Sequence, residues 1–283
     1  MTQPMPTEIY NLGIIAGSRS LPFLIAREAR RAGMKRIVAV GFEGETDPAL
    51  SEVVDELVWL KVGQLSKLIA AFRERDVRHC VMGGQIAPKN LFDVRPDFRA
   101  MMLLFKLKEK NAHTIFGGIA AELQKEGVTL IEATPWLTES MPGPGFHLGP
   151  KVSAGLKEDL AYGFRIAKET ARLEIGQTVV VKEGVVLAVE GFEGTDRCIE
   201  RGGELAGGKG GATVVKVAKL NHDMRFDIPC IGKRTIETCI KAGIQLLGIE
   251  SGSTILLERE DVERIVKGGR LTICTHDRNN FLG

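Results

Sequence analysis

Short, almost wholly apolar segments recur through the first half of this chain, each followed within a few residues by a stretch of helical periodicity. The apolar runs predict strands over 11–16, 36–42, 56–62, 79–82 and 128–133, and the intervening pattern predicts helices over 22–32, 64–75, 98–108 and 114–125. Strands that alternate with helices in this way build parallel βαβ units, so the first half reads as an α/β domain with a Rossmann-like parallel sheet. The punctuation agrees. Pro22 suits a first helical position, where its missing N–H is no loss, and Gly33 suits the residue just past the helix end.

From residue 134 the pattern stops, and Met141-Pro142-Gly143-Pro144-Gly145 is dense in residues that break helices and strands. With 283 residues there is room for two modest domains. The division expected is an N-terminal Rossmann-like domain over 1–135, a linker over 136–155 and a distinct C-terminal α/β catalytic domain over 156–283. The second half predicts helices over 156–172, 197–202, 235–242 and 260–267 and strands over 213–219, 246–249, 254–257 and 271–275. Strands over 178–182 and 185–189, separated only by Glu183-Gly184, predict a β-hairpin with a two-residue turn.

Several function classes are disfavoured. A formal net charge of +2 offers no field to attract a polyanion, so no nucleic-acid partner is expected. The five cysteines are scattered, odd in number and without CxxC, which argues against a disulfide framework or a zinc site and for reduced thiols in the cytoplasm. Cys80 and Cys230 sit in apolar runs and read as core. Residues 1–8 lack the cationic and apolar regions of a signal peptide, and no apolar run is long enough to span a membrane. HExxH, GxSxG, GxGxxG and Walker A patterns are all missing.

Chemistry-bearing residues concentrate in a few places. Gly17-Ser18 ends the first strand immediately before a helix, where backbone N–H groups can hold an anion; an ordinary tight βα turn fits equally well. Gly84, after the fourth strand, is a similar turn, and ligands of such sheets bind beyond the strand carboxyl ends. The run Glu190-Gly-Phe-Glu193-Gly194-Thr195-Asp196 carries three acids off a strand end; carboxylates bind Mg²⁺ well, and Mg²⁺ can neutralise a pyrophosphate. One of Thr195 and Asp196 is expected to cap the next helix, leaving Glu190 and Glu193 for other work. The densest cluster runs from Lys216 through Lys219, His222, Asp223 and Arg225 to Asp227. Polar and apolar residues alternate over 223–228, so an extended segment would turn Asp223, Arg225 and Asp227 to one side and Met224, Phe226 and Ile228 to the core. The two aspartates would then stand about 13 Å apart. That is too far to share a Mg²⁺ whose bonds are about 2.1 Å, and it suits one aspartate on a metal or water with Arg225 on a phosphate. A surface ion-pair network is the plainer alternative. His222 is the one histidine kept as a candidate. The glycine-rich loop around Lys209 reads as a connector. The apolar, cation-flanked segment 98–108 reads first as a helix packed on its own sheet, and second as a surface for a membrane or an acyl chain.

These strings resemble a known family. Gly13-Ile-Ile-Ala-Gly17 with Leu21-Pro22, Ile-Gly-Gln-Thr-Val-Val-Val-Lys182, Leu-Ala-Val-Glu190 with Glu193-Gly-Thr-Asp196, and Val-Lys216-Val-Ala-Lys219 with Asp223-Met-Arg-Phe-Asp227-Ile-Pro229 are similar to the UDP-2,3-diacylglucosamine pyrophosphatases of the LpxI type. The resemblance implies two α/β domains enclosing a UDP-linked acylated sugar, and a hydrolase of lipid A biosynthesis that uses Mg²⁺, with Mn²⁺ or a similar divalent ion as substitute. It implies water attack at the sugar-side phosphorus, releasing UMP and 2,3-diacylglucosamine 1-phosphate, by a homodimer in the cytoplasm in peripheral contact with the inner membrane. Carried onto this chain, the resemblance maps the family's essential acidic region onto Asp223–Asp227, with Glu193, Thr195 and Asp196 as a second matching motif; joined to the reading of the residues above, Asp223, Arg225, Asp227, Lys216 and Lys219 are the catalytic candidates. Gly17, Ser18, Gly84, Glu193, Gly194, Thr195, Asp196 and His222 become candidate substrate contacts, and Asp223, Asp227, Glu190 and Glu193 candidate metal ligands. The chain departs from the family at Arg19, Leu220 and His222, where glycine, proline and glutamine are frequent. A non-catalytic nucleotide-sugar or lipid-binding protein is the rival reading, and a nucleotide-cofactor oxidoreductase a weaker one.

Overall fold

The computed structural model describes residues 10–86, 95–109, 112–219, 223–226 and 228–276. The chain forms two compact units, one comprising Met1–Leu137 with Asp223–Asp227 and the other Thr138–His222 with Ile228–Gly283.

In the first unit, strands β1 (Asn11–Ala16), β2 (Arg36–Phe42), β3 (Glu56–Leu60), β4 (His79–Gly83) and β5 (Thr129–Leu130) form one sheet in the order β3-β2-β1-β4-β5. Every neighbouring pair runs parallel. The apolar runs behind the prediction are buried on both faces: Leu12, Ile14, Val38 and Val40 are fully covered. Helices α1 (Leu21–Arg31), α2 (Leu65–Arg73), α3 (Phe98–Lys106) and α4 (Ala112–Lys125) complete the unit. Phe72 of α2 and Leu123 of α4 lie in one core cluster with Val38, Val40 and Cys80. Strand order reverses between β1 and β4, the place where open parallel sheets bind ligands beyond their carboxyl ends.

In the second unit, six strands order as β6-β13-β11-β9-β7-β8, with β6 (His147–Leu148), β7 (Thr178–Lys182), β8 (Val185–Val189), β9 (Ala212–Lys216), β11 (Ile244–Glu250) and β13 (Thr272–His276). Strands β9, β11 and β13 are mutually parallel, while β6, β7 and β8 run antiparallel to their neighbours. A separate two-stranded piece pairs β10 (Cys230–Ile231) with β12 (Ile255–Leu256). Period-two alternation places the core on both sides of the sheet. Val179 and Val181 pack with Leu160 and Phe164 of helix α5 (Ala154–Arg172). Val180 packs with Ile199 of α6 (Thr195–Leu205), in a cluster that also takes Ile236 of α7 (Lys233–Lys241) and Val262 of α8 (Arg259–Lys267). The β7–β8 hairpin turns on Glu183 (φ 49°) and Gly184 (φ 74°), the left-handed pair that matches the strand twist. Both N–H groups of that turn are held by the buried carboxylate of Asp159, at 2.9 and 2.8 Å.

Two differences from the expectation stand out. The stretch 136–155 is not a linker throughout, because His147–Leu148 joins the edge of the second sheet and α5 starts at Ala154. A two-residue edge strand carries no periodicity to read. The segment Asp223–Asp227 clusters with the first unit although it lies between stretches of the second.

Candidate active site

The first unit brings the two predicted glycine turns together at its switch point. The N–H of Gly17 donates to the Gly83 carbonyl (2.8 Å), and the N–H and hydroxyl of Ser18 both donate to the Gln85 carbonyl (2.8 Å each). A Cβ on Gly17 would meet the Gln85 carbonyl at 2.6 Å, and one on Gly84, at φ 90°, would meet the Ser18 carbonyl at 2.6 Å. The glycines thus let the two loops pack backbone to backbone, and the Gly17 and Ser18 N–H groups expected to face a phosphate are engaged within the protein. Arg19 sits in the left-handed region (φ 70°), a conformation glycine adopts without strain.

The strip around Asp223 departs from its expected extended form. Residues 224–226 are a turn. The Phe226 N–H donates to the Asp223 carbonyl at 3.2 Å, and the Arg225 guanidinium grips the Asp223 carboxylate through two bonds of 2.8 and 2.6 Å. Arg225 N–H adds a third bond to the same carboxylate at 3.2 Å. An aspartate that bonds its own backbone two residues on competes with a strand, and the bidentate ion pair completes the turn. Phe226 does turn inward, but into the core of the first unit, against Phe116 of α4 at 5.6 Å between ring centroids. The hydrogen bond that Arg225 donates to Asp223 raises the Arg225 pKa against burial, and the charges of Asp223 and of Glu132, just past β5, add to this. Leu220, Asn221, His222 and Asp227 lie outside the described residues.

In the second unit, the carboxyl ends of β9 and β11 gather a polar cluster. Lys216, ending β9 and only 8% exposed, donates to the Thr195 hydroxyl at 2.9 Å. That hydroxyl donates to Glu190 at 2.9 Å and accepts from Thr178 at 3.4 Å, using its one donor and both acceptor positions. Thr195 therefore does not cap α6, and neither does Asp196. The N-cap is Gly194 at φ 84°, and no side chain caps it. Asp196 is buried and bonds outward, to Arg234 at 2.9 Å and Thr235 at 3.3 Å. Glu193 pairs with Arg201 at 2.6 Å. Burial works to raise its pKa, but the hydrogen bond from Arg201, backbone N–H donors and the Arg201 charge bring it below the ordinary value. Lys219 pairs with Glu174. A cavity of about 380 Å³ in this unit is lined by Phe146, His147, Lys157, Leu160 and His276 among others.

Two residues that the sequence reading passed over hold this edge in place. Glu250, 1% exposed at the end of β11, accepts from the Ala218 N–H (2.8 Å) and from Lys168 of α5 (2.5 Å). Lys168 in turn donates to the Ala218 carbonyl at 2.8 Å. Both backbone groups of Ala218, one residue before Lys219, are clamped by a buried ion pair. An acid closing the apolar run Ile244–Glu250 is the one sequence signal that pointed to it.

Among the described residues no three His, Cys, Asp or Glu side chains converge to hold a metal ion. Mg²⁺ is ordinarily held by one or two carboxylates together with substrate phosphates, so an all-protein cage is not required of such a site.

The fold and these clusters define a two-unit α/β protein with acids and cations gathered at the carboxyl ends of its parallel strands. The model for the LpxI N-terminal domain matches residues 11–140 and that for the LpxI C-terminal domain residues 144–274, and the chain belongs to this family. It is 30% identical over 262 residues to the UDP-2,3-diacylglucosamine pyrophosphatase LpxI of Caulobacter vibrioides, covering 89% of this chain and 92% of that one. Among solved structures, it is similar to the biotin carboxylase domain of a thermophilic 2-oxoglutarate carboxylase (14% identity, TM-score 0.28, 61% of this chain and 35% of that one). The biotin carboxylase subunit of pyruvate carboxylase is similar at the same level (14%, TM-score 0.28, 66% and 39%). The chain spans little more than a third of each of those structures.

Proposed function

We propose that this chain hydrolyses the pyrophosphate bond of UDP-2,3-diacylglucosamine in lipid A biosynthesis, releasing 2,3-diacylglucosamine 1-phosphate and UMP. The observation that carries the reading is the match along both units to a family whose curated member is named for that activity. Water supplies the new oxygen on phosphorus, and UMP leaves with the bridging oxygen. Positioning and charge stabilisation dominate phosphoryl chemistry, so the protein's part is to bind, orient and neutralise.

Arg225 and Asp223 act as a pair in this reading. A diphosphate oxygen competes with the Asp223 carboxylate for the guanidinium, because both make bidentate charge-assisted bonds. Substrate binding therefore draws the guanidinium away from Asp223, whose carboxylate then has an acceptor position for the attacking water. Lys216 and Lys219 add positive charge, with Lys216 held in register by Thr195. Asp227 and His222 are proposed from the resemblance alone. Mg²⁺ is the proposed cofactor, with Mn²⁺ as substitute; when bound, it neutralises diphosphate charge and polarises the bond to be cleaved. The site of action proposed is the cytoplasmic side of the inner membrane, and the proposed assembly is a homodimer. Among the described residues, no helix is long and apolar enough to cross a membrane.

The test is UMP release from UDP-2,3-diacylglucosamine with Mg²⁺, with and without chelator. Loss of turnover in Asp223→Ala and Asp227→Ala with retained folding is expected. Near-wild-type rates in both would remove the site assignment, and tight substrate retention without UMP would make the chain a binding protein.

A further inference from the structure

Helix α3 carries an apolar stripe that the described residues leave exposed. Phe98, Met101, Met102 and Phe105 recur at i, i+3, i+4 and i+7, which aligns them on one face. They are 74, 44, 41 and 86% exposed, whereas the opposite face carries Ala100 and Leu103 into the core of the first unit. The helix packed inward thus accounts for only part of its apolar surface. Single exposed apolar residues are ordinary, but a contiguous stripe with two phenylalanines marks an interaction surface.

The charges around it select the partner. Arg95 precedes the helix, Lys106 lies in its last turn and Lys108 follows it, and all three are exposed. Arg99, by contrast, is tied to Glu122 and Glu126 at 2.7 and 2.9 Å. An apolar stripe edged by cations lies at a lipid interface, with rings at the acyl boundary and ammonium groups reaching anionic headgroups. We infer that the α3 face of the first unit docks on an anionic phospholipid bilayer, through Phe98, Met101, Met102 and Phe105 with Arg95, Lys106 and Lys108 at the headgroups. The inference does not depend on hydrolysis, because membrane binding is measured without turnover.

The experiment is co-sedimentation of the full chain with phosphatidylcholine vesicles, with and without phosphatidylglycerol. The wild type is expected to bind the anionic vesicles and to be released by salt. The double variant Phe98→Ser/Phe105→Ser should lose about tenfold in partitioning, and Lys106→Glu/Lys108→Glu should lose the preference for phosphatidylglycerol. Both variants should release UMP normally from detergent-dispersed substrate. Absence of wild-type binding, or unchanged binding by both variants, overturns the inference. A phenylalanine variant that is inactive in detergent makes the stripe part of the acyl-chain pocket. One that changes the oligomeric mass in light scattering makes it a subunit interface. Either result also overturns it.

Discussion

Replacing Glu250 by glutamine tests the clamp on Ala218 most directly. The glutamine keeps the volume and can still accept from the Ala218 N–H, but it removes the negative charge that faces the Lys168 ammonium. Removing one member of a buried ion pair costs about 3–5 kcal/mol. Lys168 keeps 13% of its side chain exposed, which puts the loss at the lower end, about 3 kcal/mol. For a unit of this size that lowers Tm by about 6–12 °C, and a domain stable by 5–15 kcal/mol still folds at 25 °C. Turnover is read at that temperature. Lys219 directly follows the clamped residue, so UMP release should fall in the folded variant through kcat more than KM. The double variant Lys168→Met/Glu250→Gln removes both charges and should recover at least half of the lost stability, since an apolar replacement of a buried pair is often neutral. Differential scanning calorimetry on the wild type, Glu250→Gln, Lys168→Met and the double variant measures this coupling. A loss under about 1 kcal/mol for Glu250→Gln, or a double variant as unstable as the sum of the singles, refutes the account.

Two further outcomes concern stability alone. The Thr213 hydroxyl is fully buried and makes no hydrogen bond among the described residues, so Thr213→Val should raise stability by about 1 kcal/mol; a loss of that size in calorimetry would show that the hydroxyl has a partner. Hydrogen bonds from Lys125 and Arg99 hold Glu122 below the usual carboxylate range despite burial. Its folded pKa is depressed, so its stabilisation is complete above the unfolded value of about 4.3 and is lost as pH falls through the folded value. Glu122→Gln should therefore lower Tm at pH 7 and flatten the acid limb of Tm against pH below about 4.5, and parallel acid limbs would count against the pairing.

What the sequence exposed and what it concealed divide along physical lines. Strand β2 and both strands of the β7–β8 hairpin were readable residue for residue. Buried parallel strands are uninterrupted apolar runs, and a two-residue turn with glycine sets its own register. The partners of those elements were not readable. Asp159 grips a turn more than twenty residues away. Lys168 and Glu250 meet across 82 positions, and no local pattern announces a contact made by sheet register. The Asp223 strip shows the opposite failure, in which a local pattern was present and misled. Its alternation is that of a strand, yet short-range bonds from Arg225 to Asp223 close a turn, and Phe226 packs in the core of the first unit, to which its segment belongs. Alternation reports which side chains seek cover without specifying whose core provides it. The same reasoning separates the two faces of α3. Its periodicity identified an amphipathic helix, but only the fold shows that Ala100 and Leu103 satisfy the inner face while Phe98 and Phe105 stay exposed. Residue types at a site are therefore readable well before their pairing, and pairing decides whether Asp223 meets water, a metal or Arg225.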